Sequence, residues 1–157
     1  MQLPTVSGAN LERQTLTFPA DFSGEFNLVF IAFQQWQQME VDSWAPLADA
    51  LHRQYSQLDY YEFPTIQKMN WLSRTFINEG MRAGIPNPAT RRRTVTLYID
   101  KGAFRRALNI VDERHIQVLL FDRQGMVLWR ETGPLTPEKE SALHDAIECL
   151  MLPTAVL

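Results

Sequence analysis

The apolar positions of this chain switch between two periods. Residues 15–18 make a short alternating segment, closed by Pro19 and a turn-like stretch at 21–24. Residues 27–33 are apolar almost without a break, which suits a central strand covered on both faces. Trp44, Leu47, Ala48, Leu51, Tyr55 and Leu58 follow at helical spacing and form one stripe, with Pro46 expected to kink that helix or mark its start. Residues 58–63 read as a further strand halted by Pro64, after which Thr65 caps a helix running towards Gly80. Residues 84–88 read as a loop, 94–100 as a strand and 103–108 as a short helix. Segments 115–121 and 126–129 flank a turn containing Asp122 and Gly125, the pattern of a hairpin. Thr136, Pro137 and Glu138 open a last helix whose inward face is Leu143, Ala146, Ile147 and Leu150. The order β, β, α, β, α, β, short α, β-hairpin, α predicts a mixed sheet sandwiched between helices.

Composition narrows the function classes. At 157 residues the chain is read as one domain, 1–157, with a core over about 11–150 and short flexible ends. A net charge of −3 argues against a generalised binder of nucleic acid or anionic membrane. No apolar run approaches the ~20 residues that span a bilayer, and the first residues lack the pattern of a signal peptide. A soluble, cytoplasmic protein without direct membrane insertion is expected.

Few residues carry chemistry. His52, His115 and His144 lie on separate elements without metal-ligand spacing, so no metal is expected. There is no phosphate loop, nucleophile elbow or dinucleotide fingerprint, and no cofactor is expected. The single cysteine, Cys149, lies beside the last helix's apolar stripe and is expected to act as a small hydrophobe. Arg91, Arg92 and Arg93, with Arg82 before them, form the main basic concentration; it is either an anion clamp or a solvated face with local ion pairs.

The element order, the block 116–129 with Asp122, Gly125 and Trp129, the following Gly133 and the helix from Thr136 together resemble the thioredoxin-like superfamily, in its peroxiredoxin and thiol-reductase branch. The resemblance implies an α/β three-layer sandwich, with a mixed central sheet flanked by helices on both faces. Trp129, Arg130 and Gly133 are also similar to a block in a thioredoxin-like mitochondrial ATP-synthase assembly-factor family. A thioredoxin-type protein carries two cysteines where strand 27–33 meets the first long helix. Counted from Trp36, those positions are Gln37 and Glu40; counted back from Pro46, they are Gln38 and Val41. Neither register supplies a thiol, so peroxidase or disulfide oxidoreductase activity is not expected. The superfamily's cis-proline position falls at Ile116, or at His115 with a slip of one, where a trans peptide is expected.

What remains is a recognition edge. Trp36, Gln37, Gln38 and Glu40, joined by Arg114 and His115 through the fold resemblance, are read as a surface for another protein, in an assembly or adaptor role. The alternative is a non-redox enzyme or anionic-ligand binder that reuses the groove. There Glu40 or His115 would be the acid or base, and Arg91 to Arg93 the clamp. Homodimerisation is left open, and no nucleic-acid partner is expected.

Overall fold

The structure, a computed structural model, describes residues 1–68 and 87–152. Its elements are β1 (Val6–Asn10), β2 (Thr15–Phe18), β3 (Phe26–Ala32), a 3-10 turn (Gln35–Gln37), α1 (Gln38–Gln54), β4 (Leu58–Gln67), α2 (Pro88–Arg93), β5 (Val95–Ile99), α3 (Lys101–Ala107), β6 (Gln117–Asp122), β7 (Val127–Thr132) and α4 (Pro137–Met151). One seven-stranded sheet takes the order β2-β1-β5-β4-β3-β6-β7. The pairs β3–β4 and β4–β5 are parallel, and the other neighbours are antiparallel.

Alternation along the central strands divides the core in two. Leu28 and Phe30 of β3 and Val118 and Leu120 of β6 face α1 and α4, where Val41, Trp44, Leu47, Leu51, Leu143 and Ile147 close the layer. Val29, Ile31, Leu119 and Phe121 face the other way, towards Phe104 and Leu108 at α3 and towards Phe18 and Phe22. Phe18, Phe22, Tyr61 and Phe63 meet at centroid separations of 4.9–6.3 Å, within the range where tilted aromatic pairs add stabilisation beyond their burial. The three-layer α/β sandwich and its mixed sheet are therefore present.

Several elements differ from the sequence expectation. β1 lies inside the span taken for a flexible end, and Leu3 and Val6 are buried. Ser7, Gly8 and Asn10 are weak strand formers, so this strand is imposed by its position between β2 and β5. Gly8 is required there: a Cβ would overlap the backbone carbonyl of Thr96. Pro64 does not halt β4. It stands opposite Ala32, the last residue paired by β3, where the strand's pairing passes to β5 through Thr65, Ile66 and Gln67. Thr65 is therefore a strand residue rather than a helix cap. The rest of the helix expected towards Gly80 lies outside the described residues, apart from residues 66–68. Residues 88–93 form a short helix, capped by the Asn87 side chain accepting from the Ala89 N–H.

Other expectations are met in part. Pro46 does not mark the start of its helix: α1 begins at Gln38, and Pro46 sits inside it on the exposed face. The β6–β7 hairpin turns through Gly125 at φ +84°, with the Asp122 carboxylate accepting from the Gln124 and Met126 N–H groups. Thr136 caps α4 by accepting from the Lys139 N–H, and Pro137 takes the first helical position. Cys149 is exposed, off the Leu143–Ile147 face, so it does not act as a packed hydrophobe. Among the described residues, no helix is long and apolar enough to cross a membrane.

Candidate functional site

β3 delivers the chain to the C-terminal end of the parallel strands, where the 3-10 turn and then α1 begin. This end of an α/β sheet is where such folds place their sites. The 3-10 turn and the first turn of α1 point two side chains inward, three residues apart. Gln37 is fully buried. Its Oε1 accepts from the backbone N–H groups of Phe33 at 2.8 Å and Gln34 at 3.2 Å, and its Nε2 donates to the Glu113 carbonyl at 2.6 Å. Glu40 is 5% exposed. One carboxylate oxygen accepts from the Ile116 N–H at 3.0 Å, and the other pairs with His115 Nδ1 at 2.7 Å. A carboxylate accepts only, so Nδ1 carries the proton and Nε2 is left on the open side of the ring.

One turn further along, Trp44 Nε1 donates to the Gly133 carbonyl at 2.9 Å, and Ser43 Oγ accepts from the Leu135 N–H. A single edge of α1 is thus bonded to two segments, 113–116 and 133–135. The 113–116 segment is held from its other side as well: the Glu113 carboxylate meets Lys101 Nζ at 2.8 Å, Gln34 Nε2 at 3.1 Å and Arg105 Nη1 at 3.4 Å. Ile116 directly precedes β6, and the only cis peptide among the described residues is Phe18–Pro19. A backbone N–H that proline would lack is present at Ile116 and is engaged by Glu40.

Of the residues singled out in the sequence, the structure brings Glu40 and His115 into contact and sets Gln37 against the same segment. Gln37 and Glu40 are interior groups there, and both lie towards the 113–116 segment, which fits the register counted from Trp36. Trp36 and Met39 point outward, 53% and 69% exposed. Gln38 is exposed on another side of α1 and donates to Asp42 at 2.9 Å. Arg114 is exposed, with its guanidinium 3.7 Å from Asp112.

The arginine cluster does not converge. Successive helical residues diverge by about 100°. Arg91 lies 3.8 Å from Glu12, while Arg93 reaches Asp59 at 3.3 Å and His52 Nε2 at 3.1 Å and covers the Tyr60 ring. Arg92 is exposed. Arg82 lies outside the described residues. Trp129 and Arg130 have internal roles: Trp129 packs edge-on to Trp44, and Arg130 donates to the Leu108 carbonyl at 2.9 Å. Partial burial lowers the Arg130 pKa from its ordinary value.

Sequence reasoning missed Glu62. It lies on the face of β4 that carries α1, beside Gln38, Asp42 and Thr94. Burial, then the Asp42 charge, push its carboxyl up to about 7, against the hydrogen bonds from Gln38 and Thr94. Its only sequence signal was a charged residue inside an apolar strand. Among the described residues, no group of three or more His, Cys, Asp or Glu is placed to hold a metal ion.

Solved structures share this architecture. A thiol:disulfide interchange protein DsbE from Chlorobium tepidum matches with a TM-score of 0.57 at 15% identity, over 94% of each chain. A thiol-disulfide oxidoreductase from Bacteroides fragilis matches with a TM-score of 0.60 at 15% identity, over 96% of this chain and all of that one. BsSco, a member of the Sco family of cytochrome c oxidase assembly proteins, matches with a TM-score of 0.63 at 12% identity, over 97% of this chain and 95% of that one. No protein-family model and no curated protein matches the sequence. At these identities the likeness shows the fold alone: the chain has a thioredoxin-like fold, and its one cysteine lies more than a hundred residues after the α1 junction.

Proposed function

We propose that this chain is a redox-inactive thioredoxin-like module that binds another protein through the edge where its fold relatives place thiols. The observation that carries the reading is the split within one turn of helix. Gln37 and Glu40 are buried and hydrogen-bonded, while Trp36 and Met39 beside them are exposed. Disulfide exchange needs a thiolate that attacks sulfur, and neither an amide nor a carboxylate does so. A buried, cross-linked edge instead gives a rigid platform, and an exposed Trp with an adaptable Met is the kind of contact that contributes most at interfaces. Arg114 supplies an exposed polar group nearby. Gln37, Glu40 and the inner side of His115 hold the platform in place.

Trp36→Ala is expected to leave the unfolding midpoint within about 0.5 kcal/mol of wild type, because the ring is half exposed. The same substitution is expected to abolish capture of a stoichiometric partner from native extract. Retention of that partner by folded Trp36→Ala would remove this surface from the proposal.

A further inference from the structure

Lys139 and His115, beside the α1 edge, are each fixed in place with one polar position to spare. Lys139 Nζ donates to the carbonyls of Thr132 at 2.6 Å and Pro134 at 3.0 Å, and a third N–H remains. His115 is bound through Nδ1 to buried Glu40, and its ring is 55% exposed with Nε2 unpartnered among the described residues. Both flank Gly133. The point where a Cβ would stand on Gly133 lies 3.4 Å from Lys139 Nζ and 3.8 Å from His115 Cγ and Nδ1. The Gly133 backbone is itself anchored on both sides, its N–H donating to the Ile116 carbonyl at 3.0 Å and its carbonyl accepting from Trp44. Arg114, adjacent in sequence, adds an exposed guanidinium.

We propose that the notch over Gly133, between Lys139 and His115, binds an oxyanion, either a carboxylate or a phosphate. A charge-assisted hydrogen bond from the ammonium is the strong kind, and a donor that is already fixed loses little freedom when the ligand arrives. Glu40 holds Nδ1 on the inner side of the ring, which leaves Nε2 on the other side, where it donates to an anion only from the protonated ring. Its role here is that of a positioning residue. Glu138 and Glu140 in the same first turn of α4 oppose an incoming anion, which sets the expected half-saturation on the order of 10 mM. The subsite does not depend on the Trp36 surface, since a free oxyanion tests it with no partner present.

The test is a nuclear magnetic resonance titration of the full chain with acetate in one arm and inorganic phosphate in the other, at ionic strength held constant with chloride. The expected result is a saturable shift confined to the His115 ring and to the amides of Arg114, Gly133 and Lys139, in at least one arm. Which arm saturates identifies carboxylate or phosphate as the preferred group. Lys139→Met is expected to weaken it roughly tenfold, the loss of one charge-assisted contact. Should that variant unfold, Lys139→Gln keeps a donor towards Thr132 while removing the charge. Shifts that stay linear in both arms, or saturation unchanged in a folded Lys139 variant, would overturn the proposal.

Discussion

Glu40→Ala is expected to lower the stability of the fold by about 3 kcal/mol. The substitution leaves the Ile116 N–H buried without an acceptor, which costs about 1–3 kcal/mol alone. It also removes a short bond to His115 and leaves a void against the start of β6. His115→Ala is expected to cost less, about 1 kcal/mol, because the imidazole is half exposed and its loss strands no buried donor. Urea unfolding of the two single variants checks the order. A loss below about 1 kcal/mol for Glu40→Ala would mean that the carboxylate does not hold α1 to the 113–116 segment.

Glu62→Gln is expected to stabilise the protein at alkaline pH and change little in acid. Burial and Asp42 raise the folded value to about 7 from an ordinary 4.5, so the native state holds a proton that the unfolded chain releases. The contribution is fully present below the unfolded value and is lost as pH rises through the folded one. Between about pH 4.5 and pH 8 the wild type therefore loses roughly 2–3 kcal/mol at this residue, allowing for its partial exposure. A neutral amide of the same shape has no such term. The variant should gain about 2 kcal/mol over wild type at about pH 8 and almost nothing at about pH 4, read from urea midpoints at each pH. An equal difference at both pH values would show that Glu62 titrates as an ordinary surface acid.

Where structure is set by neighbours in the chain, the sequence was readable. The β6–β7 hairpin follows from Asp122 and Gly125, and the start of α4 from Thr136 and Pro137, because each device acts within four residues. The strand that sequence does not reveal, β1, and the continuation of β4 past Pro64 both depend on distant partners. β1 exists because β2 and β5 flank it, and β4 runs through Pro64 because its pairing changes sides there. The site shows the same division. A Trp at the junction after β3, with no cysteine near it, marked the edge. Which side chains turn inward was not legible, since the chain passes through a 3-10 turn before α1 and the helical period restarts. In the sequence Gln37 and Glu40 read as exposed recognition groups, whereas their bonds to Glu113 and Ile116 make them interior groups. The Glu40–His115 pair spans 75 positions, and the Lys139–Gly133–His115 juxtaposition needs β6, β7 and α4 in place. The arginine run was legible as a run, but its short helix sends Arg91 and Arg93 to different acids.

The most direct measurement places a photoactivatable residue at Met39 and, separately, at Gln124 in the β6–β7 turn at the opposite end of β3, followed by irradiation in native extract. A protein that docks on the α1 edge should give a discrete crosslinked species from position 39, absent from position 124 and abolished by Trp36→Ala. The same products from both positions, or a product from position 39 that survives Trp36→Ala, would contradict a docking role for this edge.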